Sequence, residues 1–142
     1  MDHLAIMNPK RKLIPKILSG EKTIESRRYM MKVAPRNKVN AGDTIYFKDA
    51  GKMVTASVEV IKVIQYDNYT DEELHDILNM YAKSIAFSDP LDQVYHRAKP
   101  KKYCILMFLK HPKKITPFEI DKTGYGNACA WISLPDIDKI RM

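Results

Sequence analysis

Val54-Thr55-Ala56-Ser57-Val58-Glu59-Val60-Ile61-Lys62-Val63 changes its apolar phase part way along. Val54, Ala56, Val58 and Val60 alternate with Thr55, Ser57 and Glu59, the pattern of a half-buried strand. The apolar phase then passes to Ile61 and Val63. A switch of phase inside one strand predicts a bulge or bend, as where a strand turns the corner of a barrel.

Reading outward from this strand, Asp49-Ala50-Gly51-Lys52 predicts a tight hairpin back to a strand at Thr44–Lys48. Before that strand come the turn pair Gly42-Asp43 and a basic loop, Met30–Ala41, with Pro35 in it. Leu13–Ser19 reads as a short helix, with Pro15 in the first turn and Gly20 just past the end. A strand at Lys22–Tyr29 follows it. Downstream, Thr70 and Glu73 have capping-box spacing, and Leu74, Ile77, Leu78 and Tyr81 form a helical stripe over 70–81. Asp89-Pro90 opens a short helical piece reaching His96. Tyr103–Leu109 is apolar without alternation, so both of its faces should be covered. Ile115–Ile120 and Ala128–Ile132 read as further strands, and Leu134-Pro135-Asp136 as the end of the sheet before a last helical turn. About six short, mostly antiparallel strands with helices at two places predict an α+β fold, a small barrel in one domain spanning 1–142.

The chain has 142 residues and a net charge of +7. Residues 1–62 hold 13 Lys/Arg against 6 Asp/Glu, residues 63–98 hold 2 against 7, and residues 99–142 hold 9 against 4. Two basic segments thus flank an acidic one. Brought together in space, they would make a basic face that attracts phosphates, although the same charge also serves solubility. Cys104 and Cys129 are too few and too far apart for a disulfide framework or a zinc cluster. His3, His75, His96 and His111 are scattered, so no metal site or other cofactor is expected. The absence of a signal peptide and of a membrane-length apolar stretch predicts a soluble, cytoplasmic protein. No phosphate-binding glycine loop is present, and no Ser–His–Asp or Cys–His arrangement has local support.

Candidate chemistry concentrates in Gly20-Glu21-Lys22-Thr23-Ile24-Glu25-Ser26-Arg27. Period-2 geometry puts Thr23, Glu25, Arg27 and Tyr29 on one face of the strand, with Ile24 and Ser26 on the other marking the core side. Glu25 and Arg27 then share a cleft side, about 7 Å apart, and Lys22, at the helix–strand junction, can swing to either face. Such cations can hold a phosphate or polarise a carbonyl. The carboxylate can accept a base amine, or act as a general base if burial raises its pKa. The same residues would also suit a surface ion-pair ladder. A second cluster is Lys122-Thr123-Gly124-Tyr125-Gly126-Asn127, followed by Trp131. Its glycines let backbone approach a ligand; Tyr125 suits either stacking on an unpaired base or packing on the surface of a tight turn, and Trp131 either stacking or the core. Arg27-Arg28-Tyr29 and Lys110-His111-Pro112-Lys113-Lys114 suit phosphate contacts or, equally, solvated loops.

Gly20, Lys22, Glu25 and Arg27 match Gly-x-Lys-x-x-Glu-x-Arg, and in this the chain resembles the ASCH superfamily. The apolar helix before the motif, Gly42-Asp43 leading into a strand, the long strand at Val54–Val63 and the strand at Tyr103–Leu109 fit the same pattern, which spans Ala5 to Ile132. The resemblance implies a PUA-like barrel and a cleft beside the motif for RNA or a modified nucleotide. Lys22, Glu25, Arg27, Arg28, Tyr29, Lys48, Lys122 and Tyr125 are the candidate contacts. It also implies an alternative. Some small bacterial members are amidohydrolases acting on acetylated cytidine, and at least one member is a ribonuclease. In the amidohydrolases the motif lysine is catalytic, together with a threonine where this chain has Glu25 and a glutamate further along in a helix, a position the resemblance does not assign here and for which Glu72 or Glu73 is a candidate. Lys22 and Glu25 would be the catalytic pair if this chain is an enzyme.

Overall fold

A computed structural model describes residues 1–126 and 128–142; Asn127, read above as part of the glycine–tyrosine loop, lies outside them. The strands are β1 (Asp2–Met7), β2 (Ile24–Tyr29), β3 (Thr44–Asp49), β4 (Val54–Asp67), β5 (Tyr103–Phe118) and β6 (Trp131–Leu134). The helices are α1 (Leu13–Ser19), α2 (Asp71–Ile85) and α3 (Leu91–Ala98), with single 3₁₀ turns at Pro9–Arg11 and Ile137–Lys139. One mixed sheet in the order β2-β5-β4-β3-β1-β6 curls into a half-barrel. All neighbours are antiparallel except β1 and β3, which run parallel.

The phase switch in β4 is a bulge. Val60 pairs with Leu109 and Lys62 with Phe108, which leaves Ile61 as the extra residue. Ile61 therefore points to solvent, 50% exposed, rather than inward as the alternation suggests. Val63 packs on the interior, while Ile64 and Tyr66 pack on the outer face. Further shifts at Val54/Ala56 and Ser57/Glu59 add to the bend.

Two other readings change in detail. Residues 103–109 and 115–118 form one strand, β5, not two. His111 takes a left-handed conformation (φ 52°) in it, so the basic stretch at 110–114 is an irregular, exposed length of strand rather than a loop. The count of six strands is kept by β1, which the sequence hides because five of its six residues are apolar or buried polar without a clean alternation.

The curled interior is filled by Ala5 and Met7 of β1, Ile45 and Phe47 of β3, Ala56, Val58 and Val60 of β4, and Ile105, Met107 and Leu109 of β5. Ile14 and Ile17 of α1 close it from one side. On the outer face, α2 and α3 set Leu74, Ile77, Leu78, Val94 and Ala98 against Ile24, Cys104 and Leu106. At the other end of that face, Ile137 and Ile140 cover Leu4, Val54, Phe118, Ile132 and Leu134. Residues 103–109 of β5 are thus covered on both sides, as their apolar run implies. No helix among the described residues is long and apolar enough to cross a membrane.

Candidate functional site at the barrel seam

The Gly-x-Lys-x-x-Glu-x-Arg stretch begins where α1 stops. Gly20 adopts φ +84°, and its N–H donates to the Ile17 carbonyl at 3.2 Å. The chain then runs between α2 and β5: the Thr23 amide donates to Ser84 O (2.8 Å), and its carbonyl accepts from the Leu109 amide (2.9 Å). This path carries Lys22 inward. Its ammonium donates to the carbonyls of Ile24 and Ile85, both at 2.8 Å, and lies 3.3 Å from Glu25 Oε1. An ammonium has three donors, and all three are used.

Glu25 and Arg27 do share a face of β2, but that face is the barrel interior, opposite Met107 and Ile105. Lys22 and Glu25 are each only 3% exposed. The other Glu25 oxygen, Oε2, accepts from Arg27 Nε at 3.2 Å and Nη2 at 3.1 Å. Arg27 reaches across the open seam of the half-barrel. Its Nη1 is 3.4 Å from Ala130 O, its Nη2 is 3.5 Å from Ile6 O, and the guanidinium lies 5.3 Å from the Trp131 ring centre.

Burial pushes the Lys22 pKa down, and Glu25 offsets this only in part. Burial pushes Glu25 up, but Lys22 and then Arg27 outweigh it and hold the carboxyl below its usual range. Arg27 is pulled down by burial and held above its ordinary value mainly by Glu25 and Tyr29. The three groups form one ionised network with a net charge of +1, and only Arg27 shows part of its side chain to solvent (14%).

Beside Arg27 the seam opens into a groove of about 290 Å³. Tyr29, Val33 and Ala34 line one wall, and Ala128, Cys129, Ala130 and Trp131 the other. The loop that supplies Val33 and Ala34 is pinned by Arg36, whose Nε donates to Asp67 Oδ1 at 2.9 Å while its guanidinium lies over Tyr103. Trp131 is fixed from behind. Its indole N–H donates to Ser133 Oγ at 3.1 Å, which lies 2.8 Å from His3 Nδ1, and His3 Nε2 lies 2.8 Å from Asp43 Oδ2. Asp43 also accepts from the Asn40 amide, which favours a proton on His3 Nε2 and a Ser133 hydroxyl donating to Nδ1. Burial holds His3 below its ordinary pKa and so neutral. Asp43, His3 and Ser133 thus form a hydrogen-bonded chain that no local pattern announces, since its members stand at positions 3, 43 and 133. His3 is fully buried, and the chain ties β1 and β6 to the turn that leads into β3, behind the groove.

The remaining sequence candidates are dispersed. Tyr29 lines the groove. Arg28, the next residue to Arg27, projects from the opposite face of β2, with Ser26 Oγ at 2.7 Å and the Phe87 ring at 5.2 Å. Lys48 lies on the outer face of β3, in a hollow with Lys52, Met53 and Glu119, and Lys122 is within its electrostatic reach. Tyr125 is 41% exposed on the β5–β6 loop and does not line the groove. Sequence reasoning missed the small residues Ala128 and Ala130 and half-buried Cys129. Their compactness just before Trp131 was the available signal.

No family model and no curated protein matches the chain. Solved structures do. The ASCH protein of Zymomonas mobilis superposes with a TM-score of 0.69 at 16% identity, over 97% of this chain and 90% of that one. A variant of that protein gives a TM-score of 0.70, also at 16% identity, over 97% of this chain and 93% of that one. The N-terminal domain of Staphylothermus marinus McrB superposes with a TM-score of 0.59 at 14% identity, over 97% and 90%. The fold is that of ASCH domain proteins.

Proposed function

We propose that the chain is an RNA- or nucleotide-binding module and that the groove between Tyr29 and Trp131 holds a base. The observation that carries this reading is the placement of Arg27. One guanidinium, fixed by Glu25, flanks a groove whose walls are otherwise aromatic or small and apolar. A flat base suits such walls, and the adjacent cation suits its carbonyl oxygen or the attached phosphate. Lys22 and Glu25 then act as positioning residues for Arg27 rather than as ligand contacts. The superfamily resemblance implies the same ligand class.

The hydrolytic alternative has less support. A general base with a pKa near neutrality is most effective, whereas Glu25 is held below the usual carboxylate range by its two cationic partners.

Trp131 is the single tryptophan of the chain and lines the groove, so it reports occupancy directly. Titration with cytidine, acetylated cytidine and a short single-stranded RNA should change its fluorescence saturably. Ala130→Phe, which fills the groove, should abolish the change. Unaltered fluorescence with every ligand, or equal responses from the filled variant, would overturn the reading. Release of acetate from acetylated cytidine, lost in Lys22→Ala, would instead establish the enzyme.

A further inference from the structure

A group of cations with little carboxylate compensation lies on the other side of β2. Arg28 is half-buried, and its guanidinium meets only neutral groups, Ser26 Oγ and the Phe87 ring. No carboxylate among the described residues is within ion-pair distance of it. Glu25 projects to the opposite face of the strand and is already bonded to Lys22 and Arg27. Lys101, in the connection from α3 to β5, is also half-buried and without an ion-pair partner among the described residues. The backbone places it beside Arg28: the Lys101 amide donates to Ala98 O at 3.0 Å, and the next amide, Lys102, to Tyr29 O at 3.1 Å.

Arg97 and Arg11 complete the group. They share one carboxylate, Asp89, at 2.8 and 3.9 Å. Among the described residues, Asp89 is thus the one carboxylate in ion-pair contact with any of these four cations. Burial and then Arg28, Arg97 and Arg11 all press the Lys101 pKa downward. Removing cations from water without partners is costly, and a fold that keeps Arg28 and Lys101 half-buried and unpaired, beside two arginines that share one carboxylate, is set up for an external anion.

We infer that Arg28, Lys101, Arg97 and Arg11 form a phosphate-binding site, separate from the groove and on the opposite face of the same strand. A compact, multiply charged oxyanion matches it better than a carboxylate, because three guanidinium forks and an ammonium offer many donors to one group. The phosphate can come from a nucleic-acid backbone or from a free phosphorylated molecule. Topology favours the backbone as a source. β2 is an edge strand of the sheet, and successive residues point to opposite faces, so a strand of RNA crossing that edge would meet Arg27 on one side and Arg28 on the other. The site does not depend on what the groove binds.

The test uses the full chain, Lys101→Gln, and a control, Lys114→Gln, on the exposed length of β5. Without ligand, Lys101→Gln should melt no lower than wild type, because it removes an unpaired cation. Pyrophosphate at constant ionic strength should raise the wild-type melting temperature more than that of Lys101→Gln. Anisotropy of a short single-stranded RNA across a salt series should show a log–log slope reduced by about 0.7 in Lys101→Gln, with weaker binding than the control variant. A pyrophosphate effect alone supports the site with a free phosphate as its source, and an RNA effect alone supports it with the backbone as its source. If Lys101→Gln matches Lys114→Gln with both probes, the inference fails.

Discussion

Lys22 places all three of its ammonium hydrogens inside the protein. Two go to main-chain carbonyls, one of them Ile85 O at the C-terminal end of α2, where a helix favours a cation. The third faces Glu25, which also holds Arg27. Removing one member of such a buried network leaves the others uncompensated, so Glu25→Gln should lower stability by about 3–5 kcal/mol at neutral pH. The sign of the pH dependence follows from the direction of the shift. The folded pKa of Glu25 lies below its ordinary value of 4.5, so its contribution is complete above that value and is lost as the pH falls through the lower, folded one. Urea unfolding of wild type and Glu25→Gln should therefore show a stability gap that is wide at neutral pH and narrows below 4.5. A gap that stays constant into acid would mean that Glu25 contributes by shape, not by charge.

The elements differ in how openly the sequence carries them. α2 is plain because its signals are local. Thr70 Oγ1 accepts from the Glu73 amide at 3.1 Å, and the Glu73 carboxylate accepts from the Thr70 amide at 3.0 Å, as the spacing predicts. Thr70→Ala should accordingly cost about 1 kcal/mol in urea unfolding and leave Trp131 fluorescence unchanged, since the cap is remote from the groove. An unchanged midpoint would show that tertiary packing alone sets the helix start. α1 and its glycine stop are legible for the same reason. β1 and β5 are not. In β1, inward His3, Ala5 and Met7 and outward Leu4 and Ile6 are all covered, so burial erases the alternation that marks a strand. In β5, Lys110-His111-Pro112 imitates a turn, yet one left-handed residue lets the strand bend and continue. Ile61 shows the same limit. A phase change reveals that a bulge exists, but which residue is expelled depends on the partner strand.

At the scale of the molecule, the two basic segments do come together, through pairing of β2 with β5 and of β1 with β6, while the acidic segment forms α2 and α3. That much was conditional in the sequence and depended on topology. The parity of Glu25 and Arg27 was readable too. Their burial was not, because it depends on the sheet curling until β2 and β6 face each other across a seam. Among the described residues no strand ladder joins those two edges. Arg27 bridges them instead, through Ala130 O and Ile6 O, and the Ile6 amide donates to the same Ala130 carbonyl at 3.0 Å. If this bridge holds the groove in shape, Arg27→Leu should keep an apolar contact with Trp131 but release the seam. Glu25 would remain paired with Lys22, so the fold should persist. Hydrogen exchange should then accelerate for the amides of Ile6 and the neighbouring seam residues, with those of α2 unchanged, since local openings need not involve the whole fold. Faster exchange spread evenly through α2 would assign Arg27 to global stability and remove the argument that it shapes the groove.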